Sequence, residues 1–143
     1  MDRLTPERRS ANMRAIRSKH TKPELAVRSA AFRAGYRFRL HDRTLPGSPD
    51  LVFSARRKVI FVHGCFWHGH EGCSKAYRPK SRKVFWSEKL QKNRERDERT
   101  EGEIRAHGWE PFVVWECETV DGEVLRRRLV DFLGLSRIRP AKR

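Results

Sequence analysis

The amino-acid sequence predicts a mixed α/β domain, in which a short mixed β-sheet is flanked by helices. The chain has 143 residues, of which 37% are hydrophobic, enough for the core of one compact domain. Short apolar runs within residues 51–62 and 109–117 have the length of strands, whereas the longer segments around them begin with helix-capping residues. We therefore expect a single domain over residues 1–143, with the element order α-α-β-β-β-α-β-α.

Two helices are predicted before the first strand. Thr5, followed by proline, is typical of a helix start, so residues 1–20 are expected to form a basic N-terminal helix. Thr21 and Glu24 fit a capping box, and the helix that they begin is expected to end at Gly35. The predicted inward face of this second helix carries Leu25, Ala26, Ser29 and Phe32.

Three strands are expected next. Residues 36–40 alternate apolar and basic side chains, which predicts a half-buried strand. After a loop rich in turn-forming residues, segments 51–54 and 58–62 are predicted to be two strands joined by a short basic turn. Apart from its first residue, segment 58–62 is continuously apolar. We therefore expect it to be central in the sheet and covered on both faces.

The C-terminal half is predicted to alternate helix, strand and helix. Residues 84–107 form a long helix that a glycine closes, and residues 109–117 form a strand. Asp121 or Thr119 caps a last helix. Residues 134–143 are expected to be a basic, flexible tail.

Positive charge is the strongest signal in the composition. Lys and Arg number 33 against 18 acidic residues, which gives a net charge of +15 and a pI near 10.8. The excess lies in residues 1–45, in residues 75–99 and from Arg126 onward. A field of this sign attracts polyanions, so we expect nucleic acid as the partner, bound in part by the N-terminal helix.

The compartment is predicted from what the sequence lacks. Its first residues do not include the apolar segment of a signal peptide, and no apolar run approaches the roughly 20 residues of a membrane span. The three cysteines, an odd number, favour metal binding over disulfides. We therefore expect a cytoplasmic protein.

The segment FVHGCFWHGHEGC is the most distinctive motif of the chain. Cys65 and Cys73 lie within it, and Cys117 lies at the end of a predicted strand that can return to the same corner. Zn²⁺ prefers four such ligands in a tetrahedron, and a closed set of three thiolates and one imidazole is structural. The spacing does not decide whether His68 or His70 is the fourth ligand.

A second candidate site is centred on Asp50, where a loop rich in Gly and Pro becomes an apolar strand. A carboxylate fixed at a strand edge is the hard oxygen ligand that Mg²⁺ requires for phosphodiester hydrolysis. The order Pro-Asp, strand, turn, apolar strand resembles the skeleton of the PD-(D/E)xK nucleases. VHGCFWH stands where those nucleases have the acid and the lysine, so a backbone oxygen and a histidine must replace them here.

Taken together, the motifs GSPDLVF, VIFVHGCFWHGHEGC, FWSEKLQKNRERD and VVWEC resemble those of the very-short-patch repair endonucleases, which are bacterial T:G mismatch nickases. The similarity covers roughly residues 8–133. It implies a restriction-endonuclease-like core and a catalytic Mg²⁺ bound by Asp50 and by the backbone carbonyl of Val62, where some members have threonine. Glu24 would reach a metal-bound water, so its capping and catalytic roles compete.

The resemblance also gives the histidines separate roles. His68 would be the catalytic histidine near the scissile phosphate, with His63 assisting and Asp97 supporting both. His70 would complete the structural zinc set, which consists of Cys65, His70, Cys73 and Cys117.

Several aromatic side chains would contact DNA directly if the resemblance holds. Phe66, Trp67 and Trp86 would enter the major groove beside the mismatch, and Met13 would insert from the minor groove. A flat ring can replace the stacking that is lost when a base step opens, at a cost of about a few kcal/mol per step. Trp109 and Trp115, in contrast, are expected in the core.

The implied activity is Mg²⁺-dependent nicking of one strand on the 5′ side of the thymine in a T:G mismatch. Such mismatches arise when 5-methylcytosine deaminates, and the nick would start very-short-patch repair. The partners would be mismatched double-stranded DNA and other DNA repair proteins, with a monomer acting at the bacterial nucleoid. One alternative is a nuclease of the same fold with broader mismatch or restriction-type specificity. Another is a zinc-stabilised DNA-binding module without catalysis.

Overall fold

In a computed structural model, residues 21–73 and 80–134 are described, and they form a four-stranded mixed sheet with three helices. The elements in chain order are α1 (Lys22–Arg33), β1 (Arg39–Leu40), β2 (Leu51–Phe53), β3 (Lys58–His63), α2 (Lys83–Ala106), β4 (Glu110–Trp115) and α3 (Gly122–Leu133). The predicted N-terminal helix over residues 1–20 and the tail from residue 135 lie outside the described residues. From residue 21 onward, the predicted order of elements is confirmed.

The sheet has the order β1-β2-β3-β4, with β3 in the interior. β1 pairs antiparallel with β2, β2 pairs antiparallel with β3, and β3 pairs parallel with β4. A parallel pair requires a long crossover connection, and α2 provides it between β3 and β4. The prediction that the apolar segment after Lys58 forms a central strand is therefore confirmed.

Apolar side chains cover both faces of the sheet because residues of β2 and β3 alternate between them. On one face, Ile60 packs with Val27 of α1 and with Leu129 of α3. On the other face, Val59 packs with Ile104 of α2. The sheet thus lies between α1 and α3 on one side and α2 on the other, which is the flanked arrangement predicted from the sequence.

The helix starts follow the predicted capping residues. The Thr21 hydroxyl accepts a hydrogen bond from the Glu24 backbone N–H at the start of α1. The Asp121 carboxylate accepts from the backbone N–H groups of Glu123 and Val124 at the start of α3. Each cap satisfies backbone donors that the first helical turn leaves without a partner. Of the two candidates for the last helix, Asp121 is therefore the cap.

The predicted inward face of α1 was wrong at Leu25, Ser29 and Phe32, and of the predicted residues only Ala26 packs against the core. Leu25 and Phe32 are 48% and 51% exposed, whereas Glu24, Val27 and Ala31 are buried. The buried positions follow helical spacing, but their stripe begins at an acidic residue that hydropathy assigns to solvent. The Glu24 side chain is turned inward because it has polar partners beneath the helix, and these partners belong to the candidate site described below.

The predicted strand over residues 36–40 is shorter than expected. Only Arg39 and Leu40 pair with β2, and both are exposed at the edge of the sheet. Within the described residues, none of the helices combines the length and the apolar character that a membrane crossing would need.

Candidate active site

Asp50 lies where the loop after β1 enters β2. Its Oδ2 accepts a hydrogen bond of 2.7 Å from the backbone N–H of Val62 on the neighbouring strand. The antiparallel register of β2 and β3 brings these two residues together, although twelve positions separate them in sequence. The Asp50 side chain remains 24% exposed, so its carboxylate is anchored to the sheet but open to a ligand.

Two further side chains meet Asp50 from α1 and from the end of β1. Glu24, which is 2% exposed, contacts Arg28 through Oε2, and its Oε1 lies 2.9 Å from His41 Nε2. The same His41 nitrogen lies 3.9 Å from Asp50 Oδ1. One ligand atom from each of Glu24, His41 and Asp50 lies within 4.8 Å of the others, which is compatible with a shared cation.

The electrostatics of this group fit a divalent cation. Burial raises the pKa of Asp50, the Val62 N–H opposes the change and the neighbouring Glu24 carboxylate adds to it, and the pKa that results is about 7. Burial also raises the pKa of Glu24, but contacts with His41, Asp50 and Arg28 outweigh it and lower the pKa overall. Two carboxylates that share one proton form a site where a cation can displace that proton. Hard oxygen donors are the ligands that Mg²⁺ prefers.

A second group consists of His63, His68 and Asp97. His68 Nδ1 lies 2.6 Å from Asp97 Oδ2 on α2, so the carboxylate holds one ring nitrogen and leaves Nε2 for proton transfer. The rings of His63 and His68 are stacked, with centroids 3.7 Å apart and planes 4° from parallel. Burial, with a smaller contribution from the adjacent His68, lowers the pKa of His63 to about 3. His63 is therefore neutral near pH 7 and can pack against a second imidazole.

Asp50 from the first group and all three residues of the second group line one cleft of about 470 Å³. The loop on its rim packs tightly on α2, since a Cβ added at Gly47, where φ is +73°, would lie 2.3 Å from Thr100 Cγ2. The cleft therefore brings a carboxylate fixed to the sheet and an imidazole fixed to a helix into one space. Its lining consists of Gly47, Ser48, Asp50, Phe61, Val62, His63, His68, Arg96, Asp97, Thr100 and Glu101.

The cysteines meet at an adjoining corner. Ligand atoms of Cys65, His70, Cys73 and Cys117 all lie within 4.8 Å of one another, and Cys117 Sγ is 3.6 Å from His70 Nδ1. A zinc tetrahedron with bonds of about 2.3 Å has edges of about 3.8 Å, so the spacing suits that ion. None of these three cysteines forms a disulfide. Burial raises the pKa of Cys65 to about 12, and Cys117 and Cys73 contribute.

A tight turn separates the roles of the two candidate histidines. Backbone N–H groups of His68 and His70 donate to the carbonyls of Gly64 and Cys65, which folds the segment back on itself. His70 then lies with the cysteines, and His68 lies with His63 and Asp97. The buried Asn93 donates from Nδ2 to the Trp67 carbonyl at 2.8 Å and ties the turn to α2.

Trp115 lies between the two sites and is only partly buried. Its ring stacks on His70 with centroids 4.0 Å apart, and its edge meets the His63 and His68 rings at 5.3 and 6.4 Å. The expectation that Trp115 lies in the core was therefore wrong, whereas Trp109 packs against the core as expected. The parallel register, in which His63 pairs with Trp115, carries the ring to this position.

Three of the predicted DNA-contacting side chains form an aromatic cluster. The ring centroids of Phe66, Trp67 and Trp86 lie between 4.9 and 6.0 Å apart, and all three side chains are partly exposed. The adjacent Phe85 is 41% exposed. Met13 lies outside the described residues, so its predicted insertion into DNA stays a prediction.

Sequence reasoning missed His41. The residue follows a short edge strand and carries no motif, yet its backbone N–H donates to the Asp50 carbonyl at 3.3 Å. The signal was the hairpin register: Leu40 pairs with Leu51, so the next residues outward, His41 and Asp50, face each other. Only a prediction of strand pairing, and not of strands alone, could have found it.

Comparisons with known proteins agree with this geometry. A family model described as "DNA mismatch endonuclease Vsr" matches residues 1–75. The chain is 55% identical over 135 residues to the type II nicking enzyme V.XorIIP of Xanthomonas oryzae, with 94% of this chain and 98% of the relative covered. It is 42% identical over 130 residues to the DNA mismatch endonuclease Vsr of Escherichia coli K12, with coverages of 87% and 83%.

A relative from Neisseria meningitidis, the type II nicking enzyme V.NmeAIP, is 46% identical over 128 residues, with 90% of this chain and 91% of the relative covered. The family named from the sequence motifs and the mixed α/β, restriction-endonuclease-like fold are thus confirmed. The chain belongs to the Vsr family of DNA mismatch endonucleases.

Proposed function

We propose that this protein nicks one strand of duplex DNA on the 5′ side of the thymine in a T:G mismatch, by Mg²⁺-dependent hydrolysis. The observation that carries the proposal is one cleft that is lined by the Asp50 carboxylate and also by His68 with its partners His63 and Asp97. Phosphodiester hydrolysis requires stabilisation of charge at the phosphate and a group that moves a proton, and the two groups supply these separately.

Asp50 and the backbone carbonyl of Val62 would hold the Mg²⁺, with Glu24 as a second carboxylate beside it. The raised pKa of Asp50 supports this assignment, because burial beside Glu24 makes the carboxylate costly to ionise until a cation compensates. When bound, Mg²⁺ would neutralise charge on the scissile phosphate and favour attack by water. The side chain at position 62 has no role in this scheme, so valine suffices.

His68 would handle the proton. Asp97 fixes the orientation of the ring through the 2.6 Å contact to Nδ1, and the stacked, neutral His63 limits its rotation. An oriented imidazole can accept or donate a proton near pH 7. His63 therefore assists by packing, and its low pKa argues against a role as the proton carrier itself.

The four donors at the adjoining corner would bind structural Zn²⁺. A closed set of Cys65, His70, Cys73 and Cys117 leaves no open position for substrate. The ion would order the turn that carries Phe66 and Trp67 outward and His68 inward. Zinc would thus act on catalysis through the position of this turn.

Recognition of DNA would combine charge with stacking. The net charge of +15 supports binding to the phosphate backbone, independent of sequence. The partly exposed rings of Phe66, Trp67 and Trp86 are suited to replace base stacking beside an opened step, together with Met13 from the N-terminal segment. A wobble pair opens more readily than a matched pair, which favours the mismatch.

A duplex panel tests the proposal. Oligonucleotides that differ in the mismatch and in its flanking bases are incubated with the protein and Mg²⁺, and the labelled strands are sized. We expect a nick in the thymine strand of the T:G duplex, and none in the matched duplex or in EDTA. Equal nicking at every mismatch would favour the nuclease with broader mismatch specificity. Cleavage of both strands would favour a restriction-type enzyme. Binding without any cleavage would favour a DNA-binding module.

A further inference from the structure

His41 lies between the two acidic residues of the proposed cation site. Its Nε2 is 2.9 Å from Glu24 Oε1 and 3.9 Å from Asp50 Oδ1, and its side chain is 11% exposed. The residue has no part in the proposed scheme, although it is the side chain that bridges the two carboxylates.

The backbone at His41 is unusual. Its φ is +47°, in the left-handed region that only a few per cent of residues other than glycine adopt. The conformation comes directly after β1, where the backbone N–H donates to the Asp50 carbonyl at 3.3 Å. The main chain is thus tied to Asp50 while the ring reaches Glu24, so His41 connects the sheet to α1.

We propose that His41 is a positioning residue, which donates its Nε2–H to Glu24 Oε1 and keeps that carboxylate turned toward Asp50. Arg28 contacts the other oxygen, Oε2, from one turn along the same helix. Without His41, the ion pair with Arg28 would draw Glu24 along α1 and away from Asp50. The inference rests on the proposed function, because it assumes that Asp50 and Glu24 face a divalent cation.

The hydrogen bond from His41 fixes the Glu24 carboxylate, which lies beside the proposed cation site. In metal sites, loss of such an outer partner typically costs about 10- to 100-fold in metal affinity. The arginine cannot replace the histidine, because its contact lies on the opposite oxygen of the carboxylate. We therefore expect the cation affinity, and not only the turnover of a loaded enzyme, to depend on His41.

Two substitutions separate positioning from a purely structural role. In His41→Gln, the amide nitrogen can take the place of Nε2 and donate to Glu24. In His41→Asn, the side chain is too short to reach Glu24, but asparagine tolerates the left-handed backbone better than glutamine does. If backbone strain decided the result, the asparagine variant would be less perturbed than the glutamine variant. If positioning of Glu24 decides it, the glutamine variant keeps the higher cation affinity.

The measurement is binding of Mn²⁺, a hard divalent cation that is visible by electron paramagnetic resonance, to the DNA-free protein. We expect His41→Gln to bind within a few-fold of wild type and His41→Asn to bind about 10- to 100-fold more weakly. His107→Gln and His107→Asn, at an exposed histidine next to the C-terminus of α2, are the matched controls and should bind as wild type.

Each of the other outcomes would contradict either the positioning role of His41 or the cation site itself. If His41→Asn binds Mn²⁺ as tightly as wild type, the positioning role of His41 is refuted, but the cation site is not. Equal weakness of both His41 variants would also refute the positioning role, since the imidazole would then act as a ligand or by packing. If wild type and Asp50→Asn bind Mn²⁺ equally poorly, the cation site of the proposed function fails together with this inference. Urea unfolding of each variant identifies any that does not fold.

Discussion

Replacing Asp50 by asparagine should stabilise the protein when no divalent cation is present. The carboxylate is buried beside Glu24, and its pKa is raised from 3.8 to about 7. Asparagine keeps an oxygen that accepts from the Val62 N–H and an amide that can donate to Glu24, as the protonated acid does. The substitution therefore removes the cost of ionising this position and retains its contacts.

The magnitude follows from linkage between protonation and folding. At about 1.4 kcal/mol per pH unit, the difference between 3.8 and about 7 corresponds to about 4 kcal/mol. Because the folded pKa is raised, the stability that depends on Asp50 is fully present below about pH 4, is lost as the pH rises and is gone above about pH 7. Asp50→Asn does not show this loss, so its advantage should be about 1–2 kcal/mol near pH 5 and about 4 kcal/mol near pH 8.

Urea unfolding at both pH values, in buffer passed over a chelating resin, measures the difference. Asp131→Asn, which changes an exposed carboxylate on α3, is the control and should show little change at either pH. Added Mg²⁺ should narrow the gap, because the cation stabilises the ionised Asp50 of the wild type. A gap that does not widen between the two pH values would refute the assignment of the raised pKa to Asp50.

Three further predictions concern the parts around Asp50. Cys117→Ala should lose bound zinc and several kcal/mol of stability, as measured by atomic absorption and thermal unfolding, and a metal-free variant as stable as wild type would contradict the structural site. Asp97→Asn should slow single-turnover nicking by on the order of 100-fold by releasing the ring of His68, while DNA affinity measured by fluorescence anisotropy stays the same. Wild-type nicking by that variant would show that the 2.6 Å contact has no role. Gly47→Ala should cost about 1–3 kcal/mol in urea unfolding, because its Cβ would lie 2.3 Å from Thr100 Cγ2 and its φ is +73°. Unchanged stability would mean that the rim loop can move away from α2.

Local signals were sufficient to predict most of the fold. Caps such as Thr21 and Asp121 mark helix starts because only the first turn needs side-chain acceptors. A continuously apolar segment predicts a strand covered on both faces, and β3 is that strand. These signals span only a few residues, so they can be recognised without knowledge of the tertiary structure.

Features that depend on pairing between distant segments were not predictable in this way. Hydropathy placed Leu25 on the inward face of α1, whereas the helix turns Glu24 inward to meet His41. The residue that pairs with the buried Glu24 charge comes from another element, and the hydropathy pattern of a helix cannot predict it. Trp115 was assigned to the core for the same reason, since the strand register that carries it to His70 appears only in the folded sheet.

In the candidate site too, local spacing predicted some features, whereas others depend on the folded structure. The spacing of the Cys-His segment predicted a metal corner but left His68 and His70 equivalent, because a two-residue offset in a loop does not fix direction. The turn closed by the Gly64 and Cys65 carbonyls separates them. His41 was missed altogether, since its partner Asp50 is nine residues away across a hairpin whose register the sequence pattern does not state.

The most direct test of the central claim is a single-turnover nicking time course on an end-labelled T:G duplex with Mg²⁺, for wild type and Asp50→Asn. Binding to the same duplex is measured in parallel by fluorescence anisotropy. We predict that wild type cuts the thymine strand once, on its 5′ side, and that the variant binds with similar affinity but leaves both strands intact. Nicking by Asp50→Asn at the wild-type rate would contradict the claim that this carboxylate holds the catalytic cation.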